Sequence, residues 1–115
     1  MQVSIPAGAR PVVPRPERTT AAVRAAVARL DAAVLPQFDA ERTAAIALAC
    51  DERSAMPVRN LTEKWWLWAA VLRWPALAAR LHECERRSAE AADLAEARAA
   101  AAEIGEILRV AADAA

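Results

Sequence analysis

The side chains that carry most enzyme chemistry are scarce in this chain, which has a single histidine, His82, and two cysteines, Cys50 and Cys84. A covalent mechanism needs a thiol or hydroxyl beside a base, and a metal centre needs several ligand atoms that converge on one point. On a helix, the two-residue step from His82 to Cys84 turns the side chain by about 200°, so the two cannot readily bind one ion. We predict no metal site, a surface position for His82, and buried cysteines that act as small apolar side chains.

Cofactor-dependent chemistry also lacks a visible motif. The chain has only two glycines, Gly8 and Gly105, so it contains no glycine-rich loop that could bind the phosphates of a nucleotide. The carboxylates near the C-terminus are more typical of a solvated helix face than of a general acid and base. We therefore predict a protein without a cofactor and without catalytic activity. The alternative is a small enzyme whose site is assembled from residues that are distant in the sequence.

All four tryptophans lie within residues 65–74, and each could bury roughly 150 to 250 Å². Leu61, Trp65, Trp68 and Leu72 recur at steps of three and four, which places them on one face of a helix. An alanine-rich chain has few other bulky side chains from which to build a core. The sequence therefore predicts that this segment is mainly core, with a partner-binding surface and an aromatic pocket for a flat ligand as the two alternatives.

A contact surface would involve the tryptophans that lie off this stripe. Trp66 and Trp74 point in other directions around the helix, so we expect one of them to reach the surface beside Arg59 or Arg73. Tryptophan and arginine are the residue types most enriched where binding energy concentrates. The predicted partner-binding residues are therefore Trp66, Trp74, Arg59 and Arg73, and the predicted partner is another protein or a second copy of the chain.

The first eighteen residues predict an arm rather than a helix, because Pro6, Pro11, Pro14 and Pro16 remove backbone donors and disfavour helical angles in the residues before them. We predict a disordered, proline-rich arm over residues 1–18 and a single helical domain over residues 19–115. The arm is also basic. Its arginines, with one from the helix that follows, support a nucleic-acid alternative in which phosphates are contacted by Arg10, Arg15, Arg18 and Arg24.

Five segments with helical spacing of their apolar residues follow the arm, so we predict an all-α fold, a small bundle of about five helices. The first helix begins near Thr20 with Thr19 or Thr20 as its cap, and its apolar face is formed by Val23, Val27, Leu30 and Val34. The second helix begins near Pro36, and its apolar side is formed by Leu35, Phe38, Ala45, Ile46 and Ala49.

Prolines mark the breaks between the next helices. Met56-Pro57 is expected to end the second helix, after which Asn60 and Glu63 resemble a capping box that opens the third. Trp74-Pro75 starts the fourth, whose apolar face is formed by Leu77, Leu81 and Cys84. The fifth begins at a cap formed by Asp93 and Glu96, and its predicted seam is formed by Leu94, Ala97, Ala101, Ile104, Leu108 and Ala111.

The charges balance overall but are unevenly distributed. Fifteen basic and fifteen acidic residues give a net charge of zero, which argues against a dedicated DNA-binding domain. The arm and first helix are basic, whereas the last helix is acidic. Antitoxins that combine a DNA-contacting end with an acidic toxin-binding segment have the same order, so an antitoxin-like regulator is a second functional hypothesis.

The cellular setting predicted by the sequence is the cytoplasm. Two cysteines are too few for a disulfide framework, and no apolar run near the N-terminus resembles a signal peptide. The longest apolar run, residues 65–72, is far shorter than a membrane span requires. We therefore expect no membrane association.

Four stretches carry a compositional resemblance, namely residues 16–30, Leu35-Pro36-Gln37-Phe38, Trp65-Trp66 and Ala78-Ala79-Arg80-Leu81. They resemble the small alanine- and arginine-rich helical proteins of actinobacteria, known mainly as families of unknown function. The resemblance covers most of residues 16–115 and implies a bacterial cytosolic protein. Some proteins of this kind are associated with antitoxin-like gene pairs, which implies a regulatory role and assigns no site residues.

Overall fold

The structure, a computed structural model, describes residues 2–115, and these residues form helices and no strands. The five α-helices are α1 (Thr20–Leu30), α2 (Leu35–Glu52), α3 (Met56–Leu72), α4 (Pro75–Ala89) and α5 (Leu94–Asp113), with one 3₁₀ turn at Ala32–Val34. The predicted all-α class and the number of α-helices are therefore confirmed.

The chain divides into two compact units. The first unit comprises residues 13–69, which contain α1, α2 and most of α3. The second unit comprises residues 2–12 together with residues 70–115, which contain the end of α3, α4 and α5. The boundary between them lies inside the tryptophan-rich helix, at a position that neither composition nor a turn signal marks.

In the first unit, α1 begins where the proline-rich arm ends. The hydroxyl of Thr19 accepts a hydrogen bond from a first-turn amide at 3.1 Å, which satisfies one of the free donors at the start of the helix. Val23 and Val27 are completely buried, and Arg24 donates twice to the Asp39 carboxylate of α2 at 2.9 Å. The cap and the apolar face predicted for this helix are confirmed at these positions.

The connection from α2 to α3 differs from the prediction. α3 begins at Met56, because Pro57 lies in the first helical turn, where a backbone donor is not needed. Ser54 Oγ accepts a hydrogen bond from the Met56 amide at 3.1 Å, and Arg53 ends α2 in a left-handed conformation with φ of 52°. The capping box predicted at Asn60 is therefore wrong, because that residue lies inside the helix.

Aromatic rings form the core contact between α2 and α3. Trp65 is 3% exposed, and its ring meets Phe38 edge-on with 5.4 Å between centroids and Trp68 with 5.5 Å. Edge contacts of this kind contribute about 0.5 to 1.5 kcal/mol beyond the area buried. Trp65 Nε1 also donates to the Glu41 carboxylate at 3.1 Å, so its polar atom is satisfied. Trp65 is the core residue that its spacing predicts.

In the second unit, α4 and α5 pack against each other. The buried residues of α4 are Leu77, Leu81 and Cys84, as predicted. The buried residues of α5 are Ala100, Ile107 and Ala111. The predicted α5 seam is right at Ala111 and wrong at Leu94 and Ala101, because Ala101 is exposed and Leu94 is 63% exposed. The α5 N-terminus is as predicted, since Asp93 accepts a hydrogen bond from the Glu96 amide at 2.9 Å.

Residues 2–18 contain no helix, as their prolines predict, but disorder is not confirmed. Val3 and Val13 are 5% and 3% exposed, so the arm buries apolar side chains. In the second unit the Val12 amide donates to the Arg73 carbonyl at 2.8 Å. An extended segment that is attached at several points replaces the free arm of the prediction.

Candidate functional site

The first predicted contact residue, Trp66, is not at the surface. Its side chain is 1% exposed, and its Nε1 donates to the Pro16 carbonyl at 2.8 Å. The Arg18 guanidinium lies 3.8 Å from the centre of the ring and also donates to both Glu63 oxygens, at 2.6 and 2.8 Å. The expectation that this ring is free for a partner is wrong, because the arm of the same chain covers it.

Trp74 and Arg73 are buried as well, at 8% and 2% exposure. The Arg73 guanidinium lies 4.9 Å from the centre of the Trp74 ring, and its Nη2 donates to the Ala115 carbonyl at 3.2 Å. Trp74 Nε1 is buried without a hydrogen-bond partner among residues 2–115. Of the four predicted partner-binding residues, only Arg59 is exposed. The contact surface predicted around the tryptophans is therefore corrected.

The arginines of the nucleic-acid alternative are largely occupied. Arg18 pairs with Glu63, and Arg24 pairs with Asp39, whose pKa is lowered chiefly by the hydrogen bonds from Arg24. The Arg15 guanidinium lies 6.0 Å from the centre of the Trp66 ring. Arg10 is exposed. A phosphate would have to compete with carboxylates of the same chain for two of the four side chains.

A polar cluster between α4 and α5 is the most connected group of titratable side chains in the second unit. Glu103 accepts hydrogen bonds through one oxygen from the Cys84 thiol at 2.7 Å, from Arg87 at 3.0 Å and from Arg80 at 3.2 Å. Its side chain is only 16% exposed. Arg80 Nη1 donates in addition to the Gln2 carbonyl at 3.0 Å. The cluster joins α4, α5 and the start of the chain.

The electrostatics of this cluster make Cys84 a donor and not a nucleophile. Hydrogen bonds from Cys84 and Arg80, with the charges of Arg87 and Arg80, lower the pKa of Glu103 to about 2. Burial, followed by the hydrogen bond to the Glu103 carboxylate, raises the pKa of the Cys84 thiol. A thiol with a raised pKa is protonated at neutral pH, whereas covalent catalysis needs the thiolate. This arrangement stabilises the helix pair.

The two cysteines are expected to differ sharply in reactivity. Cys50 is exposed on α2, whereas Cys84 is completely buried and hydrogen-bonded. Treatment of the folded protein with a thiol reagent such as 5,5′-dithiobis(2-nitrobenzoic acid) should modify one cysteine rapidly, and the second should react only in denaturant. Mass spectrometry should place the fast site at Cys50. Fast modification of Cys84 in the folded protein would contradict the cluster described above.

The lone histidine lies at the surface, and two predicted absences concern metal binding and the membrane. His82 is exposed on α4, as expected. Within residues 2–115, no group of three or more histidine, cysteine, aspartate or glutamate side chains is arranged to hold a metal ion. No helix in this part of the chain is long and apolar enough to cross a membrane.

The feature that the sequence prediction missed is an exposed apolar segment in α2, residues 44–50, with the sequence Ala-Ala-Ile-Ala-Leu-Ala-Cys. None of its residues is buried, and Ile46 and Leu48 are 46% and 47% exposed. Seven consecutive apolar residues make almost two helical turns, so they cover every direction around the axis and one neighbouring helix cannot cover them all. Ile46 was expected on the buried side of α2, and that expectation is wrong.

A groove lies at the start of α1, and its walls come from α1, α3 and the two residues before α1. Its volume is about 440 Å³, and its lining residues are Arg18, Thr19, Thr20, Val58, Arg59, Thr62 and Glu63. The hydroxyls of Thr20 and Thr62 are 2.9 Å apart and hydrogen-bonded to each other, and Thr62 also donates to the Val58 carbonyl at 2.9 Å. The groove therefore has a satisfied polar floor, with Arg59 at its edge.

Comparison with known proteins adds no assignment. No family model, no curated protein and no solved structure matches this chain.

The surface of the first unit offers apolar area and positive charge. Residues 44–50 supply the apolar area, and Arg59 supplies a charge that is not used inside the described chain. An apolar centre beside arginine is the combination found where protein partners bind.

Proposed function

We propose that this protein is a non-catalytic, cytosolic interaction module that binds a partner protein through residues 44–50 of α2. The observation that carries the proposal is the exposure of Ile46 and Leu48 within an uncharged seven-residue stretch. Single exposed apolar residues are common and need no explanation, but contiguous apolar patches mark interaction sites.

Burial of this segment by a partner would be favourable. Completing the burial of a half-exposed isoleucine or leucine contributes about 1 kcal/mol. Helix formation alone does not account for these side chains, because alanine is the better helix former and occupies the positions between them. Ile46 and Leu48 therefore add contact area that the isolated chain does not use.

The antitoxin-like alternative gains no support from the side-chain contacts. Arg18 and Arg24, which were assigned to phosphate contacts, are paired with Glu63 and Asp39. On the acidic helix α5, Glu106 and Asp113 are paired with Arg109 of the same helix. No specific observation favours DNA over a protein partner.

The proposal predicts site-specific crosslinking in living cells. A photoreactive benzoylphenylalanine at position 46 or 48 should give covalent adducts on irradiation, because these side chains lie in the proposed interface. The matched control carries the same group at position 94, where the native Leu94 is 63% exposed and lies outside the α2 segment. Adducts at 46 or 48 and none at 94 are the expected result.

Absence of adducts at both α2 positions, or equal labelling at position 94, would refute the proposed function. Mass spectrometry of the adduct identifies whether the partner is another protein or a second copy of the chain. Either partner agrees with the proposed function, because the proposal at this stage assigns the surface.

A further inference from the structure

α2 is much longer than the helix beside it. α1 has 11 residues and α2 has 18, which correspond to about 16 and 27 Å. The chain reverses between the two helices, and Arg24 meets Asp39, so α1 runs back along the first half of α2. From Arg24 back to its first residue, Thr20, α1 extends for about 6 Å, so the N-terminus of α1 lies near the level of residue 43 of α2. Residues 44–52 of α2 therefore extend beyond α1.

One face of α2 is left uncovered by this difference in length. Asp39, Arg42, Ile46 and Cys50 are spaced by three or four residues and share a face of the helix. Asp39 forms hydrogen bonds with α1, so this face of α2 is directed towards α1. Further along the same face, Ile46 and Cys50 lie beyond the N-terminus of α1. Leu48 is two residues from Ile46 and lies on the opposite side of α2.

α3 forms the second wall of this space. The hydroxyl of Thr62 in α3 is hydrogen-bonded to that of Thr20 in the first turn of α1. The α3 residues just before Thr62 therefore lie level with the N-terminus of α1 or beyond it. They include Val58 and Arg59, which line the groove of about 440 Å³. The groove is lined by α3, by the first turn of α1 and by the two residues before it, and by no residue of α2. The uncovered part of α2, residues 44–52, is about 14 Å long, and the position beyond the start of α1 lies between it and this groove.

Among the described residues of α2, the unpaired charged side chains closest in direction to Ile46 are arginines, whereas Asp51 and Glu52 are exposed at about 140° and 120° around the helix from Ile46. Arg42, Arg53 and Arg59 form no ion pair with any residue in the described range 2–115. Two acidic residues beside the arginines are paired, Asp39 with Arg24 and Glu63 with Arg18. The rim therefore presents unpaired positive charge around an apolar centre.

We propose that an amphipathic helix with an acidic rim, contributed by a partner protein, occupies this position and completes a three-helix packing with α2 and α3. The inference rests on the proposed function and adds the chemistry of the partner. The partner's apolar side would contact Ile46 and Val58, and its carboxylates would pair with Arg42 and Arg59. The apolar centre disfavours nucleic acid, whose phosphates offer nothing to bury there. Self-pairing of this face would oppose its own arginines, so a second copy is disfavoured as well.

The contact is short, so the affinity is expected to be modest. Each exposed arginine should strengthen binding about twofold to fivefold, and the effect should weaken as salt screens the charges. Ile46 is the only large side chain at the centre of the face. Replacement of Ile46 by glutamate places a charge in the contact and should weaken binding about tenfold or more.

The test uses the full chain and a displayed library of helix-forming peptides, each about twelve residues long, with alanine, leucine, glutamate or lysine at every position. Selected peptides should carry leucines at helical spacing and more glutamates than lysines. Their binding should be weakened by Ile46→Glu and by Arg59→Glu, and Leu94→Glu, at an exposed position of α5, should leave it unchanged. Bound peptide should also slow alkylation of Cys50, which lies on the same face.

Three outcomes would overturn the inference. They are no enrichment above background, enrichment of lysine-rich peptides, and equal loss of binding in Ile46→Glu and Leu94→Glu, with circular dichroism confirming that both variants are folded. Retention of duplex DNA by the wild type but not by Arg59→Glu would assign the face to nucleic acid. If adducts form in cells at position 48 while the library test fails, the proposed function stands and this inference falls.

Discussion

Replacement of Trp66 by alanine is expected to lower the free energy of unfolding by about 3 to 5 kcal/mol. The side chain is 1% exposed, so its removal leaves a large cavity in addition to the lost transfer energy. The same change removes the hydrogen bond to the Pro16 carbonyl and the ring on which Arg18 stacks. Urea unfolding followed by circular dichroism measures the loss.

Two variants serve as controls for Trp66. Trp66→Phe keeps an aromatic ring but removes the indole donor, and it should cost about 1 to 2 kcal/mol. Trp68→Ala removes a ring that is only half-buried, so it should cost less than Trp66→Ala. A Trp66→Ala variant of normal stability would show that the Trp66 ring is not buried under the arm, and Trp66 would again be a candidate surface contact.

For the tryptophans, the sequence prediction was correct at one position and wrong at another. Spacing alone correctly assigned Trp65 to the core. The prediction that either Trp66 or Trp74 reaches the surface is wrong, because a helical wheel identifies directions around a helix but contains no information about what covers each direction. The arm covers Trp66 through Pro16 and Arg18, and proline-rich composition predicts an extended chain without saying where that chain packs.

α2 illustrates the opposite error. The prediction assumed that apolar residues such as Ile46 and Ala49 are buried, which is true only where a neighbouring helix is long enough to cover them. The exposed position of Ile46 follows from the length of α1, and that length is set by a cap at Thr19 and a turn at Asp31. The sequence did contain an indication that part of α2 is exposed. Seven consecutive apolar residues point in every direction around the helix, so one buried face cannot include them all.

In α5, the predicted seam is wrong at Leu94 and Ala101, and it also omits a carboxylate that contacts α4. The predicted seam used only apolar residues, which excluded Glu103 from the interface. The carboxylate is nevertheless oriented towards α4, where Arg80, Arg87 and the Cys84 thiol donate to it. Buried carboxylates are tolerated when they are paired in this way, and a pattern of apolar residues alone does not reveal the pairing.

Neutralisation of Glu103 is expected to cost about 2 to 3 kcal/mol at neutral pH. The pKa of this carboxyl falls from 4.5 to about 2 on folding, and each unit corresponds to about 1.4 kcal/mol before a reduction for the 16% exposure of the side chain. Because the folded pKa is the lower one, the stabilisation is present above about pH 4.5 and is lost as the pH falls towards about 2. Glu103→Gln should therefore be less stable than the wild type at pH 7, and the difference should shrink in acid.

Urea unfolding at a series of pH values between 7 and 3 provides the measurement, and Glu106→Gln provides the matched control on the same helix. Glu106 pairs with Arg109 at the surface, where water screens the pair, so its neutralisation should change stability much less than that of Glu103. Other carboxylates with lowered pKa values contribute equally to wild type and variant, so the difference between the two curves isolates Glu103. If Glu103→Gln and Glu106→Gln lose stability equally at pH 7, or if the Glu103→Gln deficit persists unchanged at pH 3, the cluster between α4 and α5 does not stabilise the protein through the Glu103 charge.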